Sequence, residues 1–304
     1  MQSDPHLDRA LGCLLGLAVG DAVGTTVEFL PRGGFAPVTD MVGGGPFRLE
    51  PGQWTDDTSM ALCLAESLLH EPDLDPHDLM RRFLRWLEQG ENASTGRCFD
   101  IGRTTLSALS HFRRTGEPMA GSTRADAAGN GSVMRLAPVA LRWWREPARA
   151  EAVARRQSAT THAAAEAVDG CALLCRILHA AIAGAGRDAL TVAPDPDWAP
   201  AIRALTAGSW RGKAEQEIQS TGYVVHTLEA ALWAFEQASS FEEAILAAVN
   251  LGHDADTVGA VCGQIAGAVW GLSGIPEGWR RRLWDGARIE ALAARLYQAG
   301  APAG

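Results

Sequence analysis

Apolar residues recur along this chain at helical spacing, and alternating β-branched runs are nearly absent. The most constraining stretch is the apolar run 11–23, in which Gly12, Gly16 and Gly20 fall four residues apart. Residues four apart share one face of a helix. This helix therefore carries a stripe without side chains, against which a second helix can pack closely. The same periodicity predicts helices over 55–69, 79–87, 104–112, 148–156, 163–183, 223–235, 241–249, 258–272 and 280–297. Gly and Pro mark loops over 31–52, 116–131 and 184–200. The long, poorly patterned loop 31–52 is of a kind that more often serves function than not. The fold expected is all-α, a single domain over 1–304, without repeats or an interdomain linker.

Composition narrows the function. With 47% hydrophobic residues over 304, the chain can bury one large core. A formal charge of −9 opposes the basic field a nucleic-acid partner requires, so none is expected. Lys213 is the only lysine, and the arginine-rich remainder reads as a compositional bias. Six cysteines lack a CxxC pair, and Cys171 and Cys175 have no answering Cys or His pair at zinc-finger spacing. They read as free thiols in a reducing, cytoplasmic setting. Residues 1–9 are polar, and the apolar run after them contains glycine and ends in acid. That is neither a signal peptide nor a membrane span. A soluble monomer is expected.

Two acidic clusters carry the chemistry. Trp54-Thr55-Asp56-Asp57-Thr58-Ser59 and Gly252-His253-Asp254-Ala255-Asp256-Thr257 each stand just before an apolar helix. Either alone reads as a helix cap. Together they offer more carboxylates than capping uses. Asp254 and Asp256, two apart, converge only at an irregular helix start. Four carboxylates brought together repel unless protonated or bound to metal. Oxygen donors without cysteine select Mg²⁺, Mn²⁺ or Ca²⁺ over zinc, and a two-metal site suits so much charge. Glu28 is a third acidic element. Asp21 ends an apolar helix, where the dipole disfavours acid, so it implies a fixed hydrogen bond or a role.

A third motif, Gly129-Asn130-Gly131-Ser132-Val133-Met134-Arg135, lets backbone N–H groups approach an anion, and a helix starting there would help. It matches neither a P-loop nor a Rossmann fingerprint.

Taken together, these segments resemble the ADP-ribosylglycohydrolase family over about residues 11–296. The matching stretches are Gly16-Leu17-Ala18-Val19-Gly20-Asp21-Ala22-Val23-Gly24, Thr55-Asp56-Asp57-Thr58, the Gly129–Arg135 motif, and Asn250-Leu251-Gly252-His253-Asp254-Ala255-Asp256-Thr257. The resemblance implies an orthogonal multi-helix bundle around two Mg²⁺ or Mn²⁺ ions. It implies Thr55, Asp56, Asp57, Asp254, Asp256 and Thr257 as ligands. Glu28, Asp57 and Asp256 are the implied catalytic residues, with Glu28 as ligand or as general acid/base.

Implied substrate contacts are Asp100 at the ribose, Gly129, Asn130, Gly131 and Ser132 at the phosphates, Met134, His162, and Tyr223 stacked on adenine. Asp100 otherwise reads as a helix cap, and His162 and Tyr223 as packed rings. His226 stands where relatives often carry an acid. The implied reaction is hydrolysis of the N-glycosidic bond between ADP-ribose and a modified target, most simply an arginine of a protein. The partner is thus an ADP-ribosylated protein or a small molecule containing ADP-ribose. Alternatives are a serine or nucleic-acid linkage, an inactive ADP-ribose-binding relative, and a metal-dependent phosphohydrolase.

Overall fold

A computed structural model describes residues 4–300; residues 1–3 and 301–304 of the expected domain lie outside the described residues. Thirteen α-helices follow one another among them: α1 (Pro5–Gly24), α2 (Asp56–His70), α3 (Pro76–Gln89), α4 (Arg103–Thr115), α5 (Ala137–Arg142), α6 (Pro147–Ala159), α7 (Ala165–Ala183), α8 (Pro200–Thr206), α9 (Val224–Gln237), α10 (Phe241–Val249), α11 (Ala255–Gly274), α12 (Glu277–Arg282) and α13 (Gly286–Ala299). Strand-like pairing among the described residues is confined to three isolated bridges. One continuous apolar cluster runs through these helices.

The glycine stripe of α1 finds its partner in α11, which carries a matching stripe at Gly259, Gly263 and Gly267. A Cβ added at Gly12 would land on the Gly267 carbonyl, at Gly16 on that of Gly263, and at Gly20 on that of Gly259. One series rises as the other falls, so the helices are antiparallel, backbone against backbone. The start of α11 is thereby fixed beside the end of α1, where Gly24 abuts Ala255 and Asp256. Just beyond, Phe29 N–H donates to His253 O and His253 N–H to Leu30 O, each at 2.7 Å. These contacts bring Glu28 to the Asp254–Thr257 cluster. The apolar window within Pro5–Val27 is long enough to cross a membrane, yet 89% of it is buried inside the protein.

Three expectations need correction. The run 280–297 is two helices, α12 and α13, parted where Asp285 takes a left-handed backbone with φ 50°. Helix α11 runs past 272 but kinks at Gly271, φ 75°. There the Asp8 carboxylate of α1 accepts from Ser273 N–H at 3.1 Å and from its hydroxyl at 2.8 Å. Finally, no helix starts in the Gly129–Arg135 motif. It forms turns, and α5 begins only at Ala137, so the expected helix dipole is not aimed at the loop.

Candidate active site

Asp21 explains how the acidic clusters are placed. It is buried at the last turn of α1 and points at the start of α2. Its carboxylate accepts from the N–H and hydroxyl of Thr55, both at 2.9 Å, and from the N–H and hydroxyl of Thr58 at 3.0 and 2.6 Å. Helix α2 is thus capped by a residue of α1. The acid at an unfavourable helix end is the fixed hydrogen-bond acceptor its position implied. Neither cluster caps its own helix: Thr55 and Asp254 hold the N-cap positions of α2 and α11, and neither side chain makes a capping bond. The capping reading fails for both.

Freed from capping, the side chains meet. Thr55 Oγ1 lies 3.2 Å from Asp256 Oδ2 and 3.3 Å from Asp57 Oδ2. Thr257 Oγ1 stands 3.5 Å from Asp57 Oδ2. Carboxylate oxygens of Glu28, Asp100 and Asp256 lie within 4.8 Å of one another. Asp100 reaches them from a left-handed backbone, φ 57°. It does not cap α4, whose N-cap position belongs to Gly102. The residue that the resemblance assigns to the ribose therefore stands in one carboxylate group with Glu28, a group able to share a metal ion.

Electrostatics and hydrogen bonding agree on what this cluster lacks. The neighbouring charges that act most strongly on Glu28, Asp56, Asp57 and Asp256 are all carboxylates. Burial and that repulsion push the Glu28 carboxyl up to about 10 and Asp100 to about 7. Asp56, Asp57 and Asp256 are driven well above the usual range by the same causes, burial first. Glu28 Oε2, Asp57 Oδ1 and Asp256 Oδ1 are buried without a hydrogen-bond partner. Buried polar atoms are normally satisfied, so orphans of one charge type in one place call for a missing ligand. The donors are carboxylate and hydroxyl oxygens, which fit hard divalent cations.

The cluster floors a cavity of about 610 Å³, within the range of small-molecule sites. Its lining includes Glu28, Asp56, Asp100, Asp254 and Thr257, and also Gly129, Asn130, Gly131, Met134, His162 and Tyr223. The glycine motif is only partly a cradle. The N–H of Gly129 is spent on Ala127 O and that of Asn130 on Gly222 O. Those of Gly131 and Ser132 have no acceptor among the described residues. The Ser132 side chain turns into the core, where Ser158 Oγ donates to its hydroxyl at 2.8 Å. Asn130 Nδ2 donates to Asp254 Oδ2 at 2.6 Å and to Thr227 Oγ1 at 2.9 Å, tying the motif to the acidic floor.

His162 and Tyr223 complete the wall. His162 Nδ1 lies 2.8 Å from Thr161 Oγ1. Burial, with Arg135 nearby, pushes its imidazole down to about 3, so it is neutral. The Tyr223 hydroxyl donates to Glu166 Oε2 at 2.7 Å. Its ring meets His226 edge-on at 4.9 Å, and His226 itself pairs with Thr221 rather than with the carboxylates. Sequence reasoning missed Thr227, Glu166 and the role of Arg135. Arg135 is fully buried over the Phe83 ring and donates to Gln157 and Thr161, so it braces the motif from behind. A lone arginine beside glycines gives no signal that it faces inward.

The fold and site together define an all-helical protein with a small-molecule cavity over an oxygen-lined acidic floor. The chain belongs to the ADP-ribosylglycohydrolase family, whose sequence model matches residues 2–304. It is 47% identical over 294 residues to ADP-ribosylarginine hydrolase Tri1 of Serratia proteamaculans, covering 96% of this chain and 79% of that protein. It is 36% identical over 280 residues to the ADP-ribosyl-[dinitrogen reductase] glycohydrolase of Rhodospirillum rubrum, covering 91% and 90%. A solved ADP-ribosylglycohydrolase-related protein complex superposes with a TM-score of 0.87 at 46% identity, over 97% of this chain and 99% of that one.

Proposed function

We propose that this protein hydrolyses the N-glycosidic bond joining ADP-ribose to an arginine side chain of a modified protein, with two Mg²⁺ or Mn²⁺ ions. The observation that carries the reading is the set of buried, unpartnered carboxylate oxygens beneath the cavity. The two related proteins named above, at 47% and 36% identity, carry ADP-ribosyl hydrolase names, the first for the arginine linkage. Thr55, Asp56, Asp57, Asp254, Asp256 and Thr257 would hold the ions, with Asp100 close enough to join them. Bound there, the ions would cancel the repulsion among the acids and lower the pKa of a water nucleophile.

The chain's own groups do the rest. Glu28 has one buried oxygen without a partner and stands with Asp100 and Asp256 in this cluster. It is placed to exchange a proton with the water or with the leaving guanidine as the bond to ribose C1″ breaks. Asp57 and Asp256 fix the geometry of the floor. The N–H group of Gly131, which lines the cavity, is free to bind a phosphate oxygen, whereas Ser132 is fully buried behind it and outside the lining. Met134 and neutral His162 wall the diphosphate path without adding charge. Tyr223, anchored through its hydroxyl to Glu166, offers a ring face to adenine. Six free cysteines, five of them buried, suit a reducing cytoplasm.

The test is a linkage panel. Arginine-, serine-, cysteine- and nucleobase-linked ADP-ribose are offered with and without Mg²⁺ or Mn²⁺, and released ADP-ribose is measured. Release from arginine that EDTA abolishes is the expected result. Full activity in EDTA overturns the metal reading, and release from serine alone overturns the linkage.

A further inference from the structure

Behind the cavity wall runs a chain of hydrogen bonds that the proposed chemistry does not use. It starts at Arg135, a guanidinium without exposed surface. Arg135 Nε donates to Gln157 Oε1 at 2.9 Å, and Nη2 donates to Gln157 O at 3.0 Å and to Thr161 Oγ1 at 2.9 Å. No carboxylate is among these partners. Thr161 is fully buried, and its Oγ1 lies 2.8 Å from His162 Nδ1. Among the described residues that nitrogen is the one acceptor within reach of the Thr161 hydroxyl.

The direction of each bond follows from what each group can do. A guanidinium only donates. Thr161 Oγ1 is therefore the acceptor toward Arg135, and its single hydrogen goes to His162 Nδ1. A ring nitrogen that accepts carries no proton, so the neutral imidazole holds its proton on Nε2. Burial first, and the Arg135 charge after it, keep the ring neutral. The Nε2–H bond faces the cavity. A Cβ added at Gly129 would stand 3.2 Å from Nε2, and one at Gly131 3.0 Å, and both glycines line the cavity beside His162. His162 is 2% exposed, and its Nε2 has no hydrogen-bond partner among the described residues. A buried donor left without a partner is costly, and a ligand in the cavity would supply one. The backbone of His162 is held too: its N–H donates to Ser158 O at 2.7 Å, and its carbonyl accepts from Ser158 Oγ at 2.8 Å.

We propose that Arg135 and Thr161 are positioning residues that fix His162 as an Nε2–H donor, and that this donor binds an oxygen of the substrate's diphosphate beside the N–H of Gly131. This rests on the ADP-ribose reading of the site given above. Neither Arg135 nor Thr161 touches the ligand. Their effect is to remove a choice: an imidazole with its proton on Nδ1 would turn a lone pair toward the phosphate and repel it.

The experiment labels wild type, Thr161→Val and Thr161→Ser with ¹⁵N-histidine and saturates each with Mg²⁺. Valine keeps the branched shape and removes the hydroxyl, and serine keeps the hydroxyl. Two-bond ¹H–¹⁵N correlations report which ring nitrogen is protonated, and the signals missing from His162→Gln identify the residue. ADP-ribose affinity is measured by calorimetry, and wild type is assayed for release of ADP-ribose from an arginine-linked peptide.

In wild type the proton is expected on Nε2, and added ADP-ribose should move the Nε2 signal while Nδ1 stays unprotonated. Thr161→Val should lose the single protonation pattern and bind ADP-ribose about tenfold more weakly, the loss of roughly one hydrogen bond to a charged group. Thr161→Ser should restore both. A wild-type proton on Nδ1, or an Nε2 signal indifferent to ADP-ribose, overturns the relay and leaves the function standing. So does a Thr161→Val protein that loses affinity with its ring protonation unchanged, or a loss that serine does not recover, since Thr161 would then serve packing alone. If the valine variant does not fold, the wild-type spectra decide. Wild type that neither binds ADP-ribose nor releases it from arginine overturns the reading of the site, and the inference with it.

Discussion

Asp256 joins the halves of the acidic floor. One of its oxygens lies near Thr55, and the other is buried without a partner. Asp256→Asn keeps the shape and removes one charge from a crowd of like charges. Activity and the cation-induced rise in Tm should both vanish while the helical circular dichroism remains. With EDTA present the variant should melt roughly 2 °C or more above wild type, because a repulsion is gone. Retained turnover in this variant counts against the dimetal floor. Gly131 tests the opposite wall. A Cβ there would stand 2.7 Å from His162 Cε1 and 3.0 Å from Nε2. Gly131→Ala should weaken ADP-ribose binding about tenfold or more, seen by calorimetry, by displacing a free amide from its phosphate. At this scale the sequence was legible where type and position coincide: hydroxyls and carboxylates standing immediately before two helices. It was silent on direction. Nothing in Gly-Ser-Val tells that Ser132 turns inward, and nothing around Asp100 announces the left-handed backbone that swings it to Glu28.

Helix α1 lies on α11 with no side chains between the facing glycines. A methyl group at Gly263 would fall on the Gly16 carbonyl, and overpacking of a tight core costs about 1–3 kcal/mol. Gly263→Ala should therefore lower the Tm. It should also weaken cation binding, because it pushes the Asp254–Thr257 cluster away from Glu28. Gly278→Ala on α12, where the added methyl also meets nothing within 4 Å, is the control and should neither lower the Tm nor weaken cation binding. Differential scanning calorimetry with and without Mn²⁺ measures both effects, and equal behaviour of the two variants would refute the zipper as the site's frame. The stripe on α1 is legible because a four-residue glycine period has one main structural use. Where α1 sits along α11 depends on the second stripe and on the kink that Asp8 stabilises. Neither follows from α1 alone. The α12–α13 break was hidden because a single Gly286 is a weak stop inside an apolar period.

For the whole molecule, the acidic floor makes stability depend on pH in an unusual direction. The folded values for Glu28, about 10, and Asp100, about 7, lie above the unfolded carboxylate range near 4. The native state therefore holds more protons than the unfolded state through that window. Stability is fully present below about pH 4 on this account and falls as pH rises toward the folded values. In EDTA the Tm should drop steadily from pH 5 to pH 9, and Mn²⁺ should raise it most at the alkaline end. A metal-free Tm that rises with pH over that range would show the floor to be compensated by another charge. His162 works the other way: its value is depressed to about 3, so it favours unfolding only as pH falls below about 6.5.

The two halves of the floor, as in the Thr55–Asp256 contact, are 201 positions apart in the chain. Most of the chain must therefore be made before the two halves can meet. Until then the nascent chain carries acids that favour the open state, and a prematurely terminated copy ending before α11 carries them permanently. On the proposed function, the cation site would be complete only once α11 has been made, and a chain ending before it would keep its acids uncompensated.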